Sequence, residues 1–590
     1  MTFKELARFF LRLESTTKRL ELIEILSELF TAIETSEEGK KITYLIQGRV
    51  AAFYEPLEFG MGDRLIERAI TLAYEGEIEK VHALNGKLGD LGLVAEEMAE
   101  KTGHRPNGLS IDALFALLQT ITKTSGEGSV EGKVSLLSDI LKHCDPNAAK
   151  FAVRIVSGRL RLGIGDPTVL EALSYARLGD RKYRKELERA YNEVSDLGLL
   201  AEVLWNYEGE KALAVIKTMT VSVGRPLRSE LCERLPNAEK TIEKMGEVVS
   251  QFKYDGFRTQ MHLDRKTGTV RLFSRNLEET THSFPELIKG LMDQIDADSV
   301  ILDSEALAYH PDSEEFFPFQ ETTKRRRKHG IEAMAEALPL RAFIFDILFK
   351  NGESLVHLPV TERLKILDAT VKKNVDQDRV DTLIVSESRI ISEAKPLGLM
   401  LEEALTKGLE GVVIKKVDSP YEAGGRNFNW VKLKHTASEQ LKDTVDCVVL
   451  GYIFGRGKRV AFGVGALLVG LYDKERDVFV SVSKIGTGLS DAEWVAVRER
   501  CDTFVSKDKP ARTESDIVPS VWVEPQVVIE VLADEITRSP SHTAGKTAAE
   551  PGYALRFPRL VSFRDADKNA EDATSVEEIK VLYSMQGKKE

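Results

Sequence analysis

The sequence has few cysteines and lacks any long uncharged apolar run. Its four cysteines, Cys144, Cys232, Cys447 and Cys501, form no CxxC pair, which disfavours a zinc knuckle or a disulfide framework and favours reduced thiols inside a cell. No apolar stretch approaches the roughly 18 residues that a membrane-spanning helix needs. The N-terminal segment carries charges every few positions, unlike a secretory signal. We therefore expect a cytoplasmic protein without a membrane segment.

An excess of positive charge is also lacking. The formal net charge is -12 at pH 7, so the chain cannot coat nucleic acid over its whole surface, although a local basic face is compatible with this value. The 590 residues, 42% hydrophobic and 30% charged, have the composition of a soluble globular protein and exceed what one core can organise. We expect three domains.

The hydrophobic pattern changes twice along the chain. Residues 1–220 have apolar side chains at helical spacing, which predicts an all-helical region. Residues 221–437 contain short apolar or alternating runs between turns, which predict strands with helices such as Thr361 to Leu367 between them. Residues 438–590 contain runs at the spacing of a small β-barrel. The predicted order is helical, mixed α/β, then β.

The sharpest motif is KYDGFR, which begins at Lys253 where a predicted strand runs into a turn. If that strand continued through Asp255, Lys253 and Asp255 would project to the same face. A lysine attacks phosphorus only as the neutral amine, whereas the ordinary lysine pKa of about 10.4 keeps it protonated at neutral pH. Nearby cations favour the neutral form. Lys432 and Lys434, which share a strand face by parity, are candidates for that role, together with bound Mg²⁺.

Other short strands carry companion residues. LDSEAL, from Leu302, places two carboxylates on one strand face, and Phe345-Asp346 closes a further predicted strand. EGVVIK spans Glu410 to Lys415. Parity puts Glu410 and Lys415 on opposite faces, so both reach one site only if one of them lies at a strand end or a bulge.

The ordered set KYDGFR, LDSEAL, IFDILF, EGVVIK and WVKLK resembles the nucleotidyltransferase motifs of ATP-dependent DNA ligases, and similar sets occur in capping enzymes and RNA ligases. SGEGS, SGRLRLGIGDPTVLEAL and GRPLRSEL are similar to the DNA-binding domain of those ligases, and RFPR to the final motif of archaeal and eukaryotic replicative ones. The resemblance covers most of the chain. It implies a multidomain fold: an all-α DNA-binding domain, an α/β adenylation domain with antiparallel sheets, and a β-barrel OB-fold domain.

The resemblance also implies an activity. Such an enzyme seals nicks in duplex DNA with ATP and Mg²⁺: AMP is transferred to Lys253, then to the 5′-phosphate of the nick, and the 3′-hydroxyl then attacks with release of AMP. DNA replication, repair and recombination are the expected settings. Nicked double-stranded DNA is the expected partner, a sliding clamp is a further candidate, and a nucleoid-associated monomer is expected.

The resemblance assigns roles to individual residues. Glu305 would accept a hydrogen bond from the ribose hydroxyl, Glu305 and Glu410 would bind the metal ion, and Phe345 would lie under adenine. Asp255 and Lys415 are further site residues. The nucleotide's sugar and phosphates, or the DNA end, would be held by Arg258, Arg275, Arg426, Lys432 and Lys434.

Two further pairs of arginines are assigned in the same way. Arg556 and Arg559 of RFPR would orient the pyrophosphate leaving group during the first step, which requires a mobile domain. Arg159 and Arg161 precede glycines that let the backbone approach a phosphate, and are expected to contact DNA.

One departure from the family pattern leaves the choice of base open. Gln251 stands where the family usually has Glu; its oxygen accepts from the amino group of adenine, but its amide also donates to a keto group, so ATP, ADP and GTP remain alternatives. The basic run from Lys324 to Lys328 either contacts phosphate or forms a solvated helix face. An RNA ligase or capping guanylyltransferase, and a DNA-binding scaffold without catalysis, are the rival interpretations.

Overall fold

The computed structural model describes residues 1–103, 106, 108–308, 322, 325, 330–372, 381–406, 409–434, 444–455, 463–486, 489–533, 535–539, 541–556, 558–564 and 568–585. The chain divides into two compact units: Met1–Ala83 with Leu91–His435, and Leu84–Asp90 with Thr436–Glu590. The three domains with boundaries at 220/221 and 437/438 stay a prediction. Within the described ranges, no helix is both long and apolar enough to cross a bilayer.

The N-terminal part of the chain is helical, as the apolar spacing predicts. In α1, Thr2 and Glu5 form a reciprocal capping box, and Phe3, Phe10 and Leu13 are buried on one face. The helices are α1 (Phe3–Glu14), α2 (Arg19–Thr31), α3 (Ser36–Ile46), α4 (Asp63–Ala73), α5 (Ile78–Leu88), α6 (Leu91–Thr102), α7 (Ile111–Lys123), α8 (Ser129–Lys142), α9 (Pro146–Val156), α10 (Asp166–Leu178), α11 (Arg184–Val194), α12 (Leu197–Asn206) and α13 (Gly209–Thr218).

Two sheets with flanking helices follow. The strands are β1 (Leu231–Arg234), β2 (Val248–Lys253), β3 (Phe257–Asp264), β4 (Thr269–Ser274), β5 (Ser299–Ala308), β6 (Leu340–Lys350), β7 (Glu353–Ser354), β8 (Leu383–Val385), β9 (Ser388–Ile391), β10 (Gly411–Lys416) and β11 (Arg426–Lys434). The helices are α14 (Ala238–Met245), α15 (Pro285–Gln294), α16 (Ile331–Ala337), α17 (Val360–Asp368) and α18 (Ala394–Thr406). Helix α17 confirms the helix predicted at Thr361 to Leu367.

The first sheet has five strands in the order β1-β11-β10-β2-β9, and the second has six, in the order β4-β3-β5-β6-β7 with β8 beside β6. Most pairs are antiparallel; β1 with β11 and β6 with β8 are parallel. This agrees with the predicted antiparallel-sheet domain.

Each sheet buries one apolar face against helices. On the five-stranded sheet, Phe252 and Val412 pack in one cluster with Met400 of α18. On the six-stranded sheet, Met261 packs in one cluster with Leu287 of α15. The two remaining faces meet each other, and the small cluster between them includes side chains from both sheets: Ile301, Leu348, Tyr421 and Trp430. Polar groups occupy the rest of this inter-sheet cleft.

The second unit is rich in strands. These are β12 (Val445–Ile453), β13 (Ala466–Asp473), β14 (Val478–Ile485), β15 (Val505–Ser506), β16 (Thr513–Glu514), β17 (Val521–Val523), β18 (Val528–Leu532), β19 (Glu535–Ser539), β20 (Gly552–Arg556) and β21 (Arg559–Phe563), with helices α19 (Asp491–Asp502) and α20 (Val576–Met585). An eight-stranded sheet runs β15-β17-β12-β13-β14-β16, with β18 joining β12 to β21, and β19 pairs with β20. Val449, Val482 and Trp494 lie in its core. The predicted β-rich C-terminal fold is confirmed as a half-barrel.

A buried carboxyl group precedes β1. Glu230 is fully buried; its Oε2 accepts a hydrogen bond from the backbone N–H of Glu422 at 2.9 Å, and among the described residues nothing hydrogen-bonds to its Oε1. Burial raises the pKa of Glu230 to about 8; the charge of Asp346 adds to this, and Lys415 and Arg363 oppose it. The native state therefore keeps Glu230 protonated at neutral pH.

We predict that Glu230→Gln makes stability less dependent on pH. In the unfolded chain this carboxyl ionises near 4.5, so the native state loses stability as the pH rises from about 4.5 to about 8. Glutamine cannot ionise. The free energy of unfolding of the variant minus that of the wild type should therefore rise by up to about 1.4 kcal/mol per pH unit in that window, and this difference should be constant above it. Urea unfolding across the window measures this, with Glu239→Gln, exposed on α14, as the control. A difference independent of pH would contradict the assignment.

Candidate active site

Three neighbouring strands bring Lys253 and Lys434 into one row of the five-stranded sheet. Gly411 of β10 pairs with Lys253 of β2 on one side and with Lys434 of β11 on the other. Adjacent strands lie about 4.8 Å apart, so the two lysine backbones lie about 10 Å apart. The carboxylate of Glu410 lies between their side chains: Oε1 accepts from Lys434 Nζ at 3.0 Å, and Oε2 forms an ion pair with Lys253 Nζ.

Glu410 reaches this row because it lies outside the alternation of the strand. Strand β10 begins at Gly411, whose φ is +141°, a conformation that residues with a side chain rarely adopt. A Cβ at Gly411 would lie 2.2 Å from the carbonyl oxygen of Leu433. Of the two alternatives left open by parity, Glu410 is therefore the residue at the strand end, and Lys415 follows the regular alternation.

The charges of the two lysines dominate the titration of this carboxylate. Burial alone raises the pKa of Glu410, but Lys253 and Lys434 outweigh burial and hold it below its usual range. Lys432 projects to the same face as Lys434, alternating with buried Leu433, as strand parity predicts. Burial, followed by the charge of Arg234, lowers the pKa of Lys432. The row therefore concentrates positive charge around one carboxylate.

Gln251 lies in the next row of the same face. It pairs with Val413 of β10 and with Ser388 of β9. Its side chain is almost fully buried; Nε2 donates to the Phe345 carbonyl oxygen at 3.3 Å and to Ser388 Oγ at 2.9 Å. Within the described part of the chain, the buried Oε1 has no hydrogen-bond partner. An unpartnered buried acceptor is costly, so a ligand donor at this position would be favoured.

Lys415 lies in the third row of the same sheet face, counted along β10 from Gly411 through Val413, and it supports the site from the protein interior. It is fully buried; its Nζ donates to the Phe345 carbonyl oxygen at 2.9 Å and contacts Asp346 Oδ2 at 3.3 Å. Arg363 of α17 binds the same carboxylate, with Nε 2.8 Å from Oδ1 and Nη2 3.1 Å from Oδ2. Burial lowers the pKa of Lys415, and Asp346 opposes this. One buried carboxylate, that of Asp346, therefore pairs with two buried cationic side chains.

Phe345 lies in a bulge of β6. Asp303 pairs with Asp346 and Ser304 with Ile344, which leaves Phe345 unpaired in the ladder. Its carbonyl is thereby available to Gln251 and Lys415 of the other sheet. The expectation that Phe345-Asp346 closes a strand is wrong, because β6 continues through the bulge to Lys350.

Arg258 and Glu305 are cross-strand partners on the six-stranded sheet. The Arg258 guanidinium donates to both oxygens of buried Asp303, at 3.0 and 2.6 Å, and to the carbonyl oxygen of Glu230 at 2.7 Å. Tyr421 Oη donates to the same Asp303 carboxylate at 2.8 Å. These bonds fix Arg258 at the wall of the cleft, and its contact with the nucleotide stays a prediction.

Glu305 faces the lysine row from the opposite sheet. Burial raises the pKa of Glu305 to about 7; Lys253 and Arg258 oppose this shift, and the negative charge of Glu410 adds to it. The charges of Lys253 and Glu410 thus both contribute to the pKa of Glu305. A divalent cation between the two carboxylates would relieve their repulsion, and oxygen ligands suit Mg²⁺. In the described ranges no group of three or more His, Cys, Asp or Glu is arranged to hold a metal.

Asp255 does not share a strand face with Lys253. Strand β2 ends at Lys253, and Asp255 is exposed in a bend. The physical reason is that the chain leaves the five-stranded sheet here and enters the six-stranded one at Phe257. At this crossing Gly256 passes close to β5, where a Cβ would lie 2.2 Å from the Ala306 carbonyl oxygen.

A cavity of about 850 Å³ lies between the helical part of the first unit and its sheets. Arg161 and Arg275 both line it, together with Arg228, whose Nη2 contacts Asp166 Oδ2 at 2.6 Å. Arg161 has φ of +57°, an uncommon conformation for a residue with a long side chain. Arg159 contacts Asp63 at 3.6 Å. The structure therefore brings Arg161 and Arg275 to one cavity, lined from two regions of the chain.

The remaining predicted residues lie elsewhere. Arg426 is exposed at the start of β11. Arg556 ends β20 and Arg559 begins β21, both in the second unit. Of the run from Lys324 to Lys328, Arg325 alone is described; it is buried and pairs with Glu286, and the other four residues lie outside the described ranges.

Some supporting residues were not singled out from the sequence. Arg363 lies in an amphipathic helix, where an arginine is ordinarily assigned to the solvent face. Tyr421 and Ser388 lie in short segments without a motif. Only their contacts with Asp346, Asp303 and Gln251 reveal them.

Comparisons with known proteins agree with this geometry. Family profiles described as DNA ligase N terminus, ATP dependent DNA ligase domain and ATP dependent DNA ligase C terminal region match residues 2–174, 229–434 and 461–568. The chain is 45% identical to a probable DNA ligase of Dictyoglomus turgidum, over 100% of this chain and 98% of the relative. It belongs to the ATP-dependent DNA ligase family. The resemblance seen in the motifs is thereby confirmed.

Archaeal relatives of this DNA ligase are also similar over their full length. DNA ligase 2 of Korarchaeum cryptofilum is 38% identical, over 99% of this chain and 98% of the relative. The solved structure Pmar-Lig_PreS3 has a TM-score of 0.54 at 17% identity, over 95% of this chain and 99% of that one, a likeness of fold alone. Nick sealing through an adenylate intermediate is the function of the DNA ligase family. Family membership also disfavours the capping-enzyme and RNA-ligase interpretations.

We predict that Gly411→Ala disrupts the ligase site. The added Cβ would collide with the Leu433 carbonyl oxygen, so β10 must shift and carry Glu410 away from the lysine row. The free energy of unfolding should fall by about 2 kcal/mol or more, and covalent labelling of the protein by ATP should fall in parallel. Urea unfolding and gel labelling measure the two effects.

Gly398→Ala is the matched control. Gly398 lies within α18, and a Cβ there would meet no atom within 4 Å. This change should stabilise the protein slightly, by up to about 1 kcal/mol. Equal effects of the two alanines would argue against a special backbone requirement at Gly411.

Proposed function

We propose that Lys253 is the residue to which AMP is transferred, and that the inter-sheet cleft is the site of all three ligation steps. The observation that carries this proposal is the bridge from Glu410 to Lys253 and Lys434. It brings the lysine of the KYDGFR motif to a carboxylate and a second cation. A surface lysine without a catalytic role would not require this arrangement, nor the glycine at position 411.

The first step forms one bond and breaks another. The neutral Nζ of Lys253 attacks the α-phosphorus of ATP, a nitrogen–phosphorus bond forms, and the bond from that phosphorus to the bridging oxygen of pyrophosphate breaks. Lys432 and Lys434 lie on the same face and supply positive charge for the phosphate oxygens as the charge redistributes. Pyrophosphate leaves with the bonding electron pair, and Nζ gives up two protons, one before the attack and one as the nitrogen–phosphorus bond forms, which pass to water and to the leaving pyrophosphate.

The two carboxylates of the cleft would hold Mg²⁺. When bound, Mg²⁺ offsets phosphate charge and takes up the charge of Glu410 that Lys253 otherwise balances. Glu410 and Glu305 supply one oxygen-bearing group from each sheet. Glu305 also lies beside Arg258, where it would accept a hydrogen bond from the ribose.

The base would lie against Phe345, with Gln251 at its edge. Phe345 is half-buried in its bulge, and the guanidinium carbon of Arg258 lies 5.3 Å from the centre of its ring. Lys415 fixes the position of the Phe345 backbone from below. Arg426 would contact a phosphate from the exposed start of β11. Arg556 and Arg559 would orient the pyrophosphate leaving group during the first step.

DNA would bind through the arginine-lined cavity of the first unit. Arg161 and Arg275 line it from the helical part and from the turn after β4, so a phosphodiester backbone held there would contact both parts. Contacts with the phosphodiester backbone do not distinguish one base sequence from another, which suits an enzyme that acts at any nick. We further propose a nucleoid-associated, cytoplasmic monomer that acts in replication, repair and recombination, with a sliding clamp as a candidate partner.

Incubation with α-labelled ATP and Mg²⁺, followed by denaturing electrophoresis and a chase with nicked DNA, tests the central proposal. Label should appear on the protein and be lost as sealed product appears. Lys253→Ala should abolish the label and the sealing of an ordinary nick, while sealing of pre-adenylated DNA should partly persist, because the later steps do not use the amine. Chelation of Mg²⁺ should suppress labelling of the wild type.

The matched control is Lys416→Ala, at the end of β10, where the side chain is half exposed and pairs with Asp418. Its labelling should equal that of the wild type. Undiminished labelling of Lys253→Ala would refute the assignment of the nucleophile.

We predict that Arg161→Ala and Arg275→Ala weaken binding of nicked DNA without changing labelling by ATP. Each phosphate contact that is lost should reduce the slope of log binding constant against log salt by about 1. Fluorescence anisotropy with one nicked duplex over a salt series measures this slope. Arg8→Ala, on an exposed face of α1, is the control, and slopes equal to the wild type in both cavity variants would exclude this cavity as the DNA contact.

A further inference from the structure

The side-chain amide of Gln251 is held in one orientation. Its Nε2 is 3.3 Å from the Phe345 carbonyl oxygen, which can only accept a hydrogen bond. It is also 2.9 Å from Ser388 Oγ. A serine hydroxyl has a single proton, and Ser388 donates it to the Ser386 carbonyl oxygen at 3.2 Å. Both neighbours of the amide are therefore acceptors, and both face its NH₂ group.

This orientation determines what the amide offers to a ligand. With both hydrogens of Gln251 bonded to the protein, only Oε1 remains, and in the described part of the chain it is buried without a partner. A flip of the amide would place Oε1 against two acceptor oxygens and leave two bonds unmade. The site is thus preset to receive a hydrogen-bond donor.

We propose that Ser388 is a specificity-determining residue, which acts through Gln251 by fixing its amide so that the site accepts a 6-amino purine and disfavours a 6-keto purine. This inference rests on the proposed function, in which Gln251 lies at the edge of the base. Ser388 is exposed on β9, opposite Gln251 in the strand register, and no catalytic motif contains it. It removes the ambiguity that a glutamine at position 251 creates.

The test compares three nucleotides in the formation of the labelled protein: ATP, ITP with a 6-keto group, and purine riboside triphosphate with hydrogen at that position. The wild type should use ATP best. Ser388→Ala removes one of the two acceptors, so the ratio of kcat/KM for ITP to that for ATP should rise about fivefold, the effect of one net hydrogen bond. Ser388→Thr keeps the hydroxyl and should keep the wild-type ratio.

The readout separates specificity from mere folding. The inference is overturned if Ser388→Ala lowers the rates with all three nucleotides by the same factor or leaves the ratio of ITP to ATP unchanged. It is also overturned if Ser388→Thr changes that ratio as much as Ser388→Ala does. Should the alanine variant fail to fold, Ser388→Cys, with its weaker acceptor, replaces it in the same comparison. Absence of any label on the wild type from ATP would instead refute the proposed function itself.

Discussion

The ion pairs of Glu410 are the contact on which the candidate site depends. Two ammonium groups that face one partly buried cleft repel each other unless an anion lies between them. Glu410 supplies that anion, one oxygen to each lysine, and it can do so only because the backbone at Gly411 departs from regular strand geometry. The anion is held by two ion pairs, which can exchange partners when another charged group enters the cleft. A site that must bind and release a polyanionic substrate benefits from such exchangeable pairing.

The cleft walls carry buried charges that are paired with one another. Arg258 is paired with Asp303, and Asp346 is paired with both Arg363 and Lys415. Burying such ions is costly, and the cost is offset only where each oxygen and each N–H finds a partner. The Lys415–Asp346 pair joins β10 of one sheet to β6 of the other, so it also fixes the spacing of the two sheets. The half-buried Lys253 and Glu410 thereby face a wall that has little freedom to relax.

The sequence predicts the order of the folds and the grouping of the motifs because both follow from local periodicity. Lys432 and Lys434 share a face as parity requires. Predictions from strand parity fail where the backbone departs from regular strand geometry. This happens at Gly411, at the bulge of Phe345, and after Lys253, where Asp255 lies in the crossing between sheets. Arg363 was not foreseeable because its burial is decided by the distant partner Asp346. These departures depend on which strands become neighbours in the sheets, and the order of the strands cannot be derived from the local pattern of a single sequence.

The strand order has a consequence for folding of the protein during its synthesis on the ribosome. Among the described strands, β2, which ends at Lys253, pairs with β9 and β10 alone, and Lys434 lies at the far end of β11. A nascent chain that has emerged as far as β6 therefore contains Lys253, the proposed nucleophile, but neither Glu410 nor Lys432 and Lys434. Such long-range pairing is slow to form. The growing polypeptide cannot complete the row of Lys253, Gly411 and Lys434 until translation has passed residue 434.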